Sequence, residues 1–284
     1  MNRKSPYELQ VLDRAVAVLD ALSENGEGGL ALSEVAKSIG VAKSTAHRLL
    51  RVLERRRFVL RRAENDKYVL GVKLFQLGSL AAPQRHLRDR AHKYLEHLAE
   101  ETGETVHLAV LDDGHVLHLD NVESEHTLRM ATVPGSYGPA SATALGKALL
   151  AYLREGQCDA IIRKHGLPAR TGNSITTIAE LKRELRLVRD HGYALDNEEY
   201  SEGLRCVAAP VRGPSGDVLA ALGMAGPSIR VTDERIPLLV GLVVKAASGL
   251  SEELGARPCE IVLPNEGEII SRLLFNSAGG HPAS

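Results

Sequence analysis

Apolar side chains along the N-terminal quarter of the chain recur at helical spacing and then change period. Leu12, Ala15, Val16, Leu19 and Leu22 predict an amphipathic helix over 11–23, ended by the flexible Asn25–Gly29. A second short helix follows, with Ser33 as its expected N-cap and Gly40 as its permissive turn residue. A third helix is predicted from about 42 to 56. Ala46, Leu49, Leu50, Val52 and Leu53 fall on one side, and Lys43, Ser44, His47, Arg48, Arg51, Glu54 and Arg55 on the other. Period-two segments at 58–60 and 67–70, either side of a polar turn, then predict a hairpin.

Apolar periodicity continues from Val72 to Pro83, and a further helix is expected over 84–102, with Leu87, Ala91, Leu95 and Leu98 on one stripe and Gly103 as its stop. Strands are predicted at 104–111 and 115–122 around Asp112-Asp113-Gly114, with a third at 126–132. Helices are expected at 143–153 and 178–191, strands at 193–196, 206–211 and 218–224, and a last helix at 233–254 N-capped by Thr232. Strands and helices in this mixed order give an α+β domain with an antiparallel sheet. The pattern divides the chain into 1–71, 72–103, 104–255 and an extension at 256–284, expected to be partly disordered.

Charge changes this picture more than composition does. The net charge is −1 over 284 residues, but residues 1–71 carry 13 basic against 9 acidic side chains. From Lys43 to Arg62 there are eight basic residues and only Glu54 opposes them. A basic, hydroxylated face on a helix after a turn suits phosphate contacts and base-edge hydrogen bonds. The expected contact set is Lys43, Ser44, Thr45, His47, Arg48 and Arg51, with Arg61 and Arg62 from the hairpin. No apolar run reaches the roughly 20 residues of a membrane span, and the polar start at Asn2, Arg3, Lys4 and Ser5 does not read as a signal peptide. A cytoplasmic protein without membrane contact is expected. Three distant cysteines, Cys158, Cys206 and Cys259, form neither a disulfide framework nor a metal pair.

Helix, helix-turn-helix and hairpin together read as a winged helix-turn-helix. At this point LDRAVAVLDAL (12–22), LSEVAKSIGVAKSTAHRLLRVLE (32–54) and YVLGVKLFQLG (68–78) resemble the DNA-binding domain of the IclR family of bacterial transcriptional regulators. SATALGKALLA (141–151), ITTIAEL (175–181), GYALDNEEYSEGLRCVAAPV (192–211) and MAGP (224–227) resemble its GAF-like effector-binding domain. The resemblance covers 8–255. It implies a ligand-responsive regulator with a double-stranded DNA operator, a small organic-acid or aromatic effector, a dimeric or tetrameric assembly joined through the linker helices, and contact with RNA polymerase. It also implies an effector site at Met130, Ala144, Leu145, Asp196, Leu204, Cys206, Gly223 and Ala225. Relatives holding small keto acids tend to carry serines where this chain has Gly223 and Ala225, so a bulkier or less polar effector is expected. The N-terminus of the 143–153 helix would favour an anion.

Other readings stay open on the residues alone. An enzyme would use Cys206 or the strand histidines, but no base neighbours Cys206 in sequence. A zinc cluster on histidines 107, 115, 118 and 126 conflicts with strand alternation. Gly146-Lys147 lacks the rest of a phosphate loop. No catalytic residue, metal or cofactor is therefore expected. A ligand-sensing module without DNA binding is the remaining alternative.

Overall fold

A computed structural model describes residues 10–78, 82–258 and 267–269. The chain divides into two compact units, Met1–Arg85 and His86–Ser284. Cys259 and most of the expected extension lie outside the described residues.

In the first unit α1 (Gln10–Glu24), α2 (Leu32–Ser38) and α3 (Lys43–Arg55) enclose a small core. Val18, Leu22, Val35, Ala46 and Leu50 are its fully buried members, closed from below by Val59 and Tyr68. The α2–α3 turn passes through Gly40 at φ +66°, a region that L side chains enter at a cost. β1 (Val59–Arg61) pairs antiparallel with β2 (Tyr68–Leu70), and Leu30 bridges to Tyr68. The hairpin and its core contacts make the wing. α4 (Val72–Gly78) follows.

Two local expectations need correction. α2 begins at Leu32, so Ser33 lies inside it and Ala31 occupies the cap position. The alanine side chain has no oxygen to offer, and the end is closed by Glu34, whose Oε2 accepts from Ala31 N at 2.7 Å. Val52, assigned to the apolar side of α3, is 50% exposed, because the core needs only the narrower stripe of Ala46, Leu49, Leu50 and Leu53.

The second unit is a six-stranded antiparallel sheet with helices on both faces. Its strands are β3 (Thr105–Asp112), β4 (His115–Val122), β5 (Tyr137–Pro139), β6 (Ala194–Asn197), β7 (Leu204–Arg212) and β8 (Val218–Pro227), in the order β5-β4-β3-β8-β7-β6. α5 (Ala82–Thr102) and α9 (Ile236–Glu253) cover one face. Leu87, Ala91, Leu95 and Leu98 of α5 are buried there with Val106, Leu222 and Val240, so that stripe is spent within its own chain. Tyr94 Oη lies 3.0 Å from Gly249 O and 2.9 Å from Glu253 Oε2, tying α5 to α9. α6 (Ala144–Leu150), α7 (Glu155–His165) and α8 (Ile178–His191) cover the other face over Ala109, Ala194, Ala208 and Ala221. Small residues on that face let helices sit close to the strands.

The expected strand at 126–132 is absent. Side chains hold part of its backbone instead: Thr105 Oγ1 donates to Met130 O, Arg230 donates to Leu128 O, and His126 N donates to Ser124 Oγ. Groups bonded in this way need no ladder partner; the strand on the outer side of β4 is β5. The helix expected at 143–153 stops at Leu150, and α7 follows as a separate element that the pattern did not announce. α9 starts at Ile236, with Pro237 in its first turn; Thr232 instead closes a turn, its carbonyl accepting from Arg235 N and Ile236 N.

A Cβ added at Gly146 would lie 2.1 Å from Ala140 O, whereas one at Gly241 on α9 meets nothing within 4 Å. Gly146→Ala should therefore destabilise the chain by about 1–3 kcal/mol. Gly241→Ala should stabilise it by roughly 0.5–1 kcal/mol. Urea denaturation of both variants checks this; equal effects would contradict the packing of α6 described here.

Candidate functional site

On the first unit the basic residues of α3 stand clear of the core. Lys43, Ser44, His47, Arg48 and Arg51 are exposed, and Thr45 is half-buried in the first turn. α3 has no acidic residue in that turn, so the helix N-terminus and its side chains add charge of the same sign. Lys43, His47 and Arg61 line one shallow groove with Ser33 and Asn65, which joins the helix and the wing in a single surface. Arg61 also pairs with Asp66 at 3.1 Å; an exposed pair of this kind is weak and yields readily to a phosphate. Arg62 is half-buried beside the wing turn, where its backbone N donates to Lys67 O. Arg48 and Arg51 lie outside the groove, farther along the exposed face.

In the second unit a cavity of about 320 Å³ lies on the α6 side of the sheet. Met130, Ala144, Leu145, Asp196, Leu204, Cys206, Gly223 and Ala225 all line it. Strand register explains the convergence. Asp196 pairs with Cys206, Cys206 with Ala225, and His107 with Gly223, so these positions share one face of four neighbouring strands. The floor between them carries nothing larger than a thiol. At Gly223 an added Cβ would lie 2.5 Å from Val207 O and 2.8 Å from Ala208 Cβ. Glycine at this position is thus also a condition of how closely β7 and β8 approach.

Residues that the motifs did not single out as cavity residues complete the wall. His107 and His118 meet edge to face with centroids 5.4 Å apart, and both line the cavity with Tyr137 and Tyr200. The other two histidines lie apart: His115 meets His165 edge to face, and His126 lies outside the strands. His107 and His118, however, are brought together, because His118 pairs with Ala109, two residues along β3 from His107 and on the same face. Burial, reinforced by His118, pushes His107 down to about 3, and burial lowers His118 as well. Both imidazoles are neutral. Among the described residues no group of three or more His, Cys, Asp or Glu is placed to hold a metal ion.

Beneath the wall sits Lys147, fully buried on α6. Its Nζ donates to Glu199 Oε1 at 2.5 Å and lies 3.5 Å from Glu184 Oε1 on α8. Burial alone would push the ammonium down, but Glu199 and Glu184 together hold it above its usual value. Asp196 Oδ1 accepts from the backbone N of Glu199 and of Tyr200. A second clasp holds the same segment from outside. The carbonyls of Asn197, Glu198, Glu199 and Tyr200 accept in turn from Asn173, Thr171, Ser174 and Arg170. Nothing in the sequence pattern announced Lys147 beyond its place in an otherwise apolar run.

Burial, and then the charge of Glu199, push Asp196 up to about 7. Cys206 is pushed well above the ordinary thiol range by burial and by Asp196 beside it. A nucleophilic cysteine needs the opposite shift, and among the described residues no histidine hydrogen-bonds to Cys206. The arrangement suits holding a ligand and does not activate a nucleophile.

Comparison with known proteins agrees with both halves. A family model described as the IclR helix-turn-helix domain matches residues 11–63, and one described as the bacterial transcriptional regulator IclR C-terminal domain matches 80–252. The chain is 35% identical over 250 residues to the transcriptional repressor IclR of Escherichia coli (strain K12), covering 87% of this chain and 91% of that one. It is equally similar, with the same coverage, to the acetate operon repressor of Salmonella typhimurium. Among solved structures it resembles the Thermotoga maritima IclR at 33% identity and TM-score 0.73, over 87% of this chain and 100% of that one.

Two substitutions test the cavity wall. Lys147→Met leaves Glu199 and Glu184 buried without their cation and should cost roughly 3–5 kcal/mol of unfolding free energy. Asp196→Asn keeps the Oδ1 acceptor but removes the acid. A carboxyl whose folded pKa lies above its unfolded value holds its proton better when folded, so its contribution is lost as pH rises through about 4 to 7. Asp196→Asn should therefore gain stability relative to wild type across that window in denaturant titrations; a constant difference would contradict the shift.

Proposed function

The chain belongs to the IclR family of bacterial transcriptional regulators, and on that premise we propose how its two units divide the work. It is a DNA-binding regulator with an effector domain and not an enzyme. α3 lies in the major groove of a double-stranded operator with the wing on the adjacent backbone. Ser44, Thr45 and Arg48 meet base edges, while Lys43, Arg51, Arg61 and Arg62 hold phosphates, and His47 lies between the two sets. A homo-dimer or tetramer presents two such helices to paired half-sites. Residues 1–71 act as the reader, 72–103 as the linker that brings copies together, and 104–255 as the sensor, in the cytoplasm.

The observation that carries the sensing half is the cavity itself. Eight positions implied by the family motifs, drawn from five separate segments, line one cavity with a small-residue floor and a few polar groups. Its volume lies at the lower end of the range for small-molecule sites. A small organic metabolite bound there changes operator or polymerase engagement. It does so only as far as it binds one conformation better than another.

Gel shifts on the DNA upstream of the chain's own coding region test the reading half. Arg48→Ala should relax sequence preference, with about 1–3 kcal/mol lost at the base it reads. Arg51→Ala should weaken binding to all sequences alike and reduce the slope of log K against log salt by about one. If both variants bind specific and random DNA as wild type does, this face of α3 is not the interface.

A further inference from the structure

Four residues of the cavity lining carry a buried side-chain atom without a hydrogen-bond partner: Asp196 Oδ2, His107 Nδ1, His118 Nδ1 and Thr132 Oγ1. Asp196 stands on β6 and belongs to the set implied by the family motifs. The other three do not, and they are grouped. His107 on β3 and His118 on β4 meet edge to face, with ring centroids 5.4 Å apart. Thr132 lies on the connection from β4 to β5, two residues after Met130, whose carbonyl is tied to Thr105 at the start of β3. Buried polar atoms are costly to leave unpaired, and three in one corner call for a common partner.

We propose that His107, His118 and Thr132 form a second recognition corner in the cavity, which selects ligands carrying a hydroxyl or similar neutral donor–acceptor group at the end remote from their acid. This step rests on the cavity being the effector site. Burial holds both imidazoles neutral, so each ring has one N–H donor and one acceptor nitrogen, and the Thr132 hydroxyl does both. A corner of that kind is matched by a group that also donates and accepts. The other side of the cavity differs. α6 packs on β7 and β8, and Ala144 and Leu145 in its first turn line the cavity with N–H groups that have no partner. From the β3–β4 pair to the β7–β8 pair is two strand spacings, about 10 Å. One substituted ring with a hydrogen bond at each end spans such a gap, and Gly223, Ala225 and Cys206 leave it a floor of small side chains. An alkyl group set against the corner would displace water and leave all three atoms unpaired. A mismatch of that kind discriminates far more strongly than an added methyl in an apolar pocket.

The test uses the full chain in thermal-shift and calorimetric titrations, with acids matched in shape and differing only in the remote group. The 3- and 4-hydroxybenzoates are set against the 3- and 4-methylbenzoates. At one of the two positions the hydroxyl should bind at least about tenfold more tightly than the methyl and raise the transition accordingly. His118→Phe and Thr132→Val keep shape and remove one hydrogen-bonding group each, and each should lose most of that ratio while still binding the methyl acids. If one of these variants fails to fold, the other decides. A hydroxyl preference unchanged in the folded variants would overturn the corner. Methyl and hydroxyl acids that bind alike, and are both lost in Leu145→Phe, would overturn the corner while leaving the cavity as the effector site. Binding that survives unchanged in a folded Leu145→Phe, or silence from every acid at millimolar concentration, would overturn the cavity reading and the corner with it.

Discussion

The ammonium of Lys147 has no water to turn to, and the sensor unit is arranged around satisfying it. Glu199 comes from the segment after β6 and Glu184 from α8, so one buried cation ties two elements to α6. Removing water from such a group costs several kcal/mol before any partner is counted. Only a geometry that brings the carboxylates within hydrogen-bond reach makes its burial tolerable. The same geometry positions Asp196 and Tyr200, because Glu199 and Tyr200 both donate their backbone N–H to Asp196. The wall of the cavity and the charge beneath it are consequently one structure.

This linkage gives the cavity a route to the rest of the domain. A ligand against Tyr200 or the first turn of α6 presses on groups whose alternatives are few, since moving either strains the Lys147 pairs or the clasp of Arg170, Thr171, Asn173 and Ser174. Packed elements of this kind change between discrete arrangements more readily than they deform. On the opposite face, α5 is held to α9 through Tyr94 and Lys93 at Glu253. The sheet stands between the two, with its strands in common.

Much of the reader unit was legible in the chain. The basic face of α3, the Gly40 turn and the hairpin are local features, set by 3.6- and 2-residue periods and by charge, and they fold as the pattern indicates. Errors fell where a local rule met a competitor, either from elsewhere in the fold or from a neighbouring side chain. Thr105 and Arg230 bind carbonyls of the 126–132 segment from a distance, where a strand was expected. Glu34 closes α2 in place of Ser33, and Val52 stays exposed because a small core cannot cover the whole apolar side of a helix.

The sequence by itself determined the two-part plan, the sign and position of the charge on α3, and, through motif resemblance, eight positions now found around one cavity. It could do so because periodicity, charge and motif spacing are carried by neighbours along the chain. Only the tertiary structure decided that His107 and His118 meet, that Lys147 is buried against Glu199 and Glu184, and that among the described residues no lysine or arginine lines the cavity. Those facts depend on strand register and helix docking, which join residues up to about a hundred positions apart. A one-residue change of strand register would send His107 or His118 to the opposite face.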